Sequence, residues 1–295
     1  ATSVGNMRVQ VGSLAGETKK ATDAVHKLRE SLSGAGAIKA AEEMRERVAR
    51  VAPEAAPLIW MGTFHAFGLE LLRKYGSRIG LPTDPPVVDP VDAMFLLEQD
   101  LPALALDYYQ HLPEPTKYLK PILAAISRAK DELATPDDYH RAAAAMREVA
   151  TDDEAVQAAE KAAEVAHVYQ VYQATLEKRG ALDFGDLIAR SVALLGDDSH
   201  EVGAAVREAY PHVLVDEYQD VNRASAILLA AVVGSGRGLW VVGDARQSIY
   251  RFRGAAPSNM ARFTEDFPGG RVLRLSTNYR SQPPVVAAVS RFAEG

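Results

Sequence analysis

Carboxylates, an amide and a guanidinium placed just beyond short apolar runs are residue types that nucleotide hydrolysis uses, and this 295-residue chain has three such placements. The first is His212-Val-Leu-Val-Asp-Glu-Tyr-Gln-Asp220. The second is Gly238-Leu-Trp-Val-Val-Gly-Asp-Ala-Arg-Gln-Ser-Ile-Tyr-Arg-Phe-Arg-Gly-Ala255, and the third runs Arg271-Val-Leu-Arg-Leu275 into Ser276-Thr-Asn-Tyr-Arg-Ser281. An Asp-Glu pair such as Asp216-Glu217 suits magnesium held through water beside a carboxylate that orients an attacking water. Gln247 and Arg280 are placed to report on and stabilise a γ-phosphate.

The elements that must position these groups are strands. Runs of four or five Val- and Leu-rich residues fit strands covered on both faces of a parallel sheet, and ligands of such sheets sit beyond the carboxyl ends of the strands. Asp216, Glu217, Gln247 and Arg280 are therefore expected to converge on one rim. The plainer alternative is that acids after an apolar strand are ordinary polar caps.

Composition sets the outer limits. With 47% hydrophobic and 24% charged residues, the chain reads as a soluble globular protein long enough for two domains. No apolar run approaches the roughly 18 residues of a membrane span, and no signal peptide opens the sequence. The absence of cysteine excludes disulfides and thiolate metal sites and is compatible with a cytoplasmic setting. A net charge of −6 means that any nucleic-acid contact must be local, through a lined groove.

Met7-Arg-Val-Gln-Val11 reads as a strand, and Gly12-Ser-Leu-Ala-Gly-Glu-Thr18 stands where a phosphate loop should open a helix over Lys19–Ser31. Gly12, Gly16 and Thr18 occupy the loop's characteristic positions, but its lysine slot holds Glu17. At about 4 Å and an effective dielectric near 20 a unit charge pair is worth about 4 kcal/mol, so this reversal of sign predicts poor ATP binding. Ser33-Gly-Ala-Gly-Ala-Ile-Lys-Ala40 keeps a lysine but lacks the preceding Gly and the following Ser or Thr.

Pro57–Gly62 reads as a strand, followed by Thr63-Phe-His-Ala-Phe67 and an amphipathic helix to Tyr75. Beyond it, Pro-rich connectors give way to Ala-, Glu- and Lys-rich segments with helical periodicity, Thr116–Leu133 and Asp137–Gly180 with a break near Thr151-Asp-Asp, which predict a helical insertion between strands. In Leu182-Asp-Phe-Gly-Asp-Leu-Ile188, Asp183 is placed to cap a helix. Tyr250 and Phe252 beside Arg253 can stack unpaired bases while the guanidinium holds phosphate; the alternative is a pair of core aromatics.

Taken together, these strand ends, with Gln-Ser-Ile-Tyr-Arg-Phe-Arg-Gly-Ala, Asn-Tyr-Arg-Ser and Thr-Phe-His-Ala-Phe at their intervals, resemble the UvrD/Rep/PcrA family of superfamily 1 DNA helicases from about Lys39 onward. The resemblance implies a RecA-like P-loop NTPase sheet, parallel and flanked by helices, with an inserted all-helical subdomain. Its segments would be residues 1–76 and 206–282 for the motor domain and 77–205 for the insertion, with 283–295 opening a second motor domain that is missing here. ATP and Mg2+ are the implied cofactors, with Asp216 on the metal, Glu217 as water-orienting base, Gln247 as phosphate sensor, Arg280 on the γ-phosphate and Tyr279 on adenine. Single-stranded DNA and single/double-strand junctions are the implied partners, contacted by Thr63, Phe64, His65, Tyr250, Phe252 and Arg253. Phe252 stands where the family usually has tryptophan. A rival reading is a DNA-binding or scaffold module whose degenerate phosphate loop has removed turnover; a helicase–nuclease subunit is a further alternative.

Overall fold

The computed structural model describes residues 6–10, 35–111, 113–197, 201–244, 247, 258–278 and 281–294. In chain order the elements are β1 (Asn6–Gln10), α1 (Ala35–Val51), β2 (Ile59–Thr63), α2 (Phe64–Tyr75), α3 (Pro90–Gln99), α4 (Leu119–Asp131), α5 (Pro136–Val149), α6 (Asp153–Lys178), α7 (Phe184–Gly196), α8 (Val202–Ala209), β3 (Val213–Val215), α9 (Arg223–Val233), β4 (Leu239–Val241), α10 (Ser258–Asp266) and α11 (Pro283–Glu294).

Local chemistry accounts for where many of the helices begin. Thr63, Asp89, Thr135, Asp152, Asp183 and Asn222 each precede a helix in extended conformation and accept a backbone N–H of its first turn. Each satisfies a donor that the helix would leave orphaned. The break predicted near Thr151 is such a point, since α5 stops at Val149 and Asp152 caps α6.

The sheet has the order β2-β1-β3-β4. It is mixed, not wholly parallel: β1 runs antiparallel to both neighbours, and only β3 and β4 pair in parallel. β2, β3 and β4 nevertheless point the same way, so their carboxyl ends share one rim. The run Arg271–Leu275, predicted as a further parallel strand, forms no ladder among the described residues, and Leu275 is 90% exposed. Strand composition alone does not make a strand, which exists only by pairing with a neighbour.

Burial on both faces holds for one face only. Val213 and Val215 are buried with Leu239 and Val241 packed against the same core, whereas Leu214 and Trp240, in register across β3 and β4, lie exposed. Trp240 is 61% exposed.

Apolar side chains gather in two clusters. One joins β3 to α2, α7, α8 and α9, and the other is built from α3, α4 and α6. Within the first, α2 and α7 approach closely at Gly68, where a Cβ would stand 2.5 Å from the Leu187 carbonyl oxygen. Ser191 closes the contact by donating its hydroxyl to the carbonyls of Leu187 and Gly68, at 2.7 and 3.2 Å. That contact fixes the angle at which α2, and hence the carboxyl end of β2, meets the rest of the core.

Candidate active site

β3 ends at Val215, and the chain turns at once. Glu217 takes the left-handed conformation, φ 53° and ψ 44°, which costs a residue with a Cβ roughly 1–2 kcal/mol. Hydrogen bonds on either side hold it there. The Glu217 amide donates to Asp216 Oδ1 at 3.0 Å, and the Tyr218 amide donates to the Val242 carbonyl at 2.9 Å. Tyr218 is buried and meets Phe263 edge-on, at a centroid distance of 6.1 Å.

Gln219 ties this turn to the end of β4. Its side chain is 1% exposed, donates from Nε2 to Glu217 Oε2 at 2.7 Å and accepts at Oε1 from the Asp244 amide at 3.0 Å. Gly243 makes room for it, because a Cβ there would stand 2.6 Å from Gln219 Oε1. Asp244 Oδ2 in turn accepts from Gln247 Nε2 at 3.0 Å, and the Asp244 carbonyl accepts from the Gln247 amide at 2.9 Å. Glu217, Gln219, Asp244 and Gln247 thus form one hydrogen-bonded chain across two strand ends. Sequence reasoning picked out Glu217 and Gln247 but passed over Gln219 and Asp244. The available signal was the glycine ahead of Asp244, a residue type that permits another group to approach the backbone closely.

Among the described residues no three His, Asp, Glu or Cys side chains cluster into an all-protein metal cage. Magnesium needs no such cage, since it commonly takes one or two carboxylates together with water and substrate phosphates. The chemistry of Asp216, a strand-end carboxylate whose Oδ1 accepts from the Glu217 amide at 3.0 Å, is compatible with that mode. Arg280 and Tyr279, the loop residues Gly12, Gly16, Glu17 and Thr18, and the trio Tyr250, Phe252 and Arg253 lie outside the described residues.

Thr63 ends β2 on the same rim as Asp216. Gly62 and Val215 both pair with Met7 of β1, so the next residues, Thr63 and Asp216, stand two strand spacings apart, about 10 Å. The Thr63 hydroxyl accepts from the Ala66 amide at 3.2 Å as the cap of α2. Phe64 is 4% exposed and packs in the core, so it is not placed to touch a ligand. Its neighbour Phe67 forms the aromatic ladder with Trp60 and Tyr210, at 5.2 and 5.3 Å.

His65 is partly buried, its ring edge-on to Phe184 at 6.2 Å. Burial lowers its pKa to about 4, against the opposing pull of Asp183, so it is neutral at physiological pH. Its ordinary value is 6.5, and between these two values the unfolded chain binds a proton that the folded chain does not. The His65 contribution is therefore complete above pH 6.5 and lost as pH falls toward 4. Asp131 slopes the other way, because burial raises its pKa to about 6 and makes the folded state the better proton binder. The informative measurement is thus a difference: on going from pH 7 to 4, wild type should lose up to about 3 kcal/mol relative to His65→Asn in urea unfolding. Parallel stability curves for the two proteins would show that His65 titrates normally.

A second constellation escaped sequence reading. Lys130, at the end of α4, is buried and donates to Asp183 Oδ2 at 2.7 Å and to Asp186 Oδ1 at 2.9 Å. The rings of Tyr169 and Tyr172 on α6 flank the ammonium, at 5.8 and 5.4 Å. Asp183 caps α7 as predicted and forms a reciprocal capping box with Asp186. Gly185 is small because the Lys130 stem crosses over it; a Cβ there would stand 2.6 Å from Lys130 Cδ. One residue on, Asp131 accepts from Asn222 Nδ2 at 2.6 Å, and Asn222 also caps α9 behind the acidic turn. The last turn of α4 therefore grips both α7 and α9.

Fold and rim together define a helix-rich α/β protein with its acids and amides gathered at the carboxyl edge of the sheet. The chain belongs to the UvrD/REP helicase N-terminal domain family, whose model matches residues 34–268. It is 36% identical over 253 residues to the ATP-dependent DNA helicase PcrA of Leuconostoc citreum, covering 85% of this chain and 31% of that protein. To the ATP-dependent DNA helicase UvrD1 of Mycobacterium bovis it is 39% identical over 261 residues, with coverage of 85% and 31%. PcrA of Staphylococcus aureus is 34% identical over 252 residues, with coverage of 85% and 32%. The chain thus spans about a third of the length of these relatives.

Proposed function

We propose that this chain is the nucleotide-binding N-terminal motor region of an ATP-dependent translocase on single-stranded DNA that unwinds duplex at single/double-strand junctions. The observation that carries most weight is the hydrogen-bonded chain from Glu217 through Gln219 and Asp244 to Gln247, which joins an acidic turn to the Gln247 amide beyond adjacent parallel strand ends. On this reading residues 1–76 and 206–282 form a RecA-like domain, 77–205 are its helical insertion, and 283–295 lead toward a second motor domain. The family membership and the ATP-dependent DNA helicases among its relatives support it.

Each residue has a role that its chemistry allows. Asp216 would hold the water shell of Mg2+, which when bound would offset charge on the nucleotide phosphates. Glu217 would accept a hydrogen bond from the attacking water and take its proton. Gln247 would sense the γ-phosphate, Arg280 would neutralise charge developing on it, and Tyr279 would stack on adenine. Gly12, Gly16 and Thr18 would cradle phosphate, with Glu17 opposing them. Thr63 keeps a hydroxyl proton for a phosphate or sugar oxygen, and neutral His65 would act by hydrogen bonding instead of by charge. No helix among the described residues is long and apolar enough to cross a membrane, and a cysteine-free chain fits a cytoplasmic setting.

Glu17 favours a second reading, a strand-binding module without turnover. Equilibrium binding of labelled ATP with and without magnesium separates the two. Magnesium-dependent binding supports the motor, and its absence together with intact DNA binding supports the module. For the DNA side, single-strand affinity should fall steeply with salt, and Tyr250→Ala or Phe252→Ala should each cost about 1–3 kcal/mol. Unchanged affinity in both variants would make these aromatics core residues.

A further inference from the structure

Gln219 is a buried amide that makes two directed hydrogen bonds to different strand ends, and neither of them closes a helix or extends the sheet. One goes to the carboxylate of Glu217, the other to the backbone N–H of Asp244. Both ends of the amide are oriented by these partners, because a carboxylate accepts only and an amide N–H donates only. Glu217 itself sits in a strained left-handed turn, so its side chain has no helix or strand to fix its direction. Asp244 holds Gln247 by two bonds, one through its side chain and one through its backbone. Gly243 is the steric condition for the whole arrangement, since any Cβ there would strike Gln219 Oε1.

We infer that Gln219 is a positioning residue that holds the Glu217 carboxylate in register with Asp244 and Gln247, so that the water-activating base and the phosphate-sensing amide shift as one unit. This rests on the proposed roles of Glu217 and Gln247. Its action on the chemistry would run through Glu217 and Asp244, the groups it bonds. A methionine at position 219 would fill much the same volume and could make neither bond. An alanine at position 243 would leave Gln219 in place chemically but push its amide off Asp244. Two unrelated substitutions should therefore give one phenotype.

The experiment measures steady-state ATP hydrolysis in the natural full-length protein for wild type, Gln219→Met, Gly243→Ala and the double variant, with Glu217→Gln as reference. A misplacement on the order of 1 Å costs about a hundredfold, so kcat should fall by about ten- to a hundredfold in each single variant. The Michaelis constant for ATP should stay within about threefold, and the double variant should be no slower than the slower single one, as expected for groups acting as a unit. A purely structural role would instead lower the melting temperature and leave kcat per folded molecule unchanged. If Glu217→Gln still turns over ATP, the catalytic reading is what fails. If it is inactive while Gln219→Met matches wild type, the positioning role is overturned. Amide hydrogen exchange on the 295-residue chain tests the same contact without turnover. The Asp244 N–H should exchange faster in Gln219→Met, and unchanged protection there also overturns the inference.

Discussion

On the proposed motor reading, Glu217→Gln in the full-length protein should lower ATP turnover by about a hundred- to ten-thousandfold, the range typical of removing a general base. It should do so without loss of stability. The Glu217 carboxylate is held by Gln219 Nε2 at 2.7 Å, and a glutamine at position 217 keeps an oxygen that can accept the same bond. Neutralising it also removes the repulsion from the adjacent Asp216 carboxylate. A structural acid would behave in the opposite way, with about 0.5–2 kcal/mol lost as for a removed cap and with chemistry spared. Thermal melting, nucleotide binding and turnover measured side by side decide between them. A variant that melts early and still hydrolyses ATP removes Glu217 from the catalytic set.

The largest loss of stability is expected at Lys130→Met. Breaking a buried ion pair by removing one partner costs about 3–5 kcal/mol, because the remaining charge is left uncompensated. Here two carboxylates, Asp183 and Asp186, depend on one ammonium. Burial already raises the pKa of Asp186, with the Asp183 charge adding to it and Lys130 opposing both. Without the lysine that rise must grow. A carboxyl whose folded pKa lies above its unfolded value loses stability as pH climbs through the folded value, so the defect should be larger at pH 8 than at pH 5. Adding Asp183→Asn and Asp186→Asn should restore part of the loss by removing the orphaned charges. Urea unfolding of the three proteins at both pH values checks this. A Lys130→Met chain as stable as wild type at pH 8 would mean that the ammonium contributes nothing net.

Much of this protein can be read directly from its residues. The acids at the end of β3, the capping function of Asp183, the helix break at Thr151 and the strand-to-helix element at Thr63 are all local events, governed by periodicity and by side chains bonding their own backbone. Pairing is not local. The run Arg271–Leu275 has strand composition yet forms no ladder, and the apolar pair Leu214 and Trp240 lies exposed, because which edge and which face are covered depends on what other segments occupy them. Phe64 and His65 are consecutive, but the packing of α2 against α7 sends one into the core and leaves the other partly exposed beside Phe184. Gln219 meets Asp244 across 25 positions and Lys130 meets Asp186 across 56, so neither partnership has a signature in spacing. Residue types and their order determined which polar groups stand at the rim; only tertiary packing decided which amide would bond its acid and which lysine would be buried to hold the helices beside it.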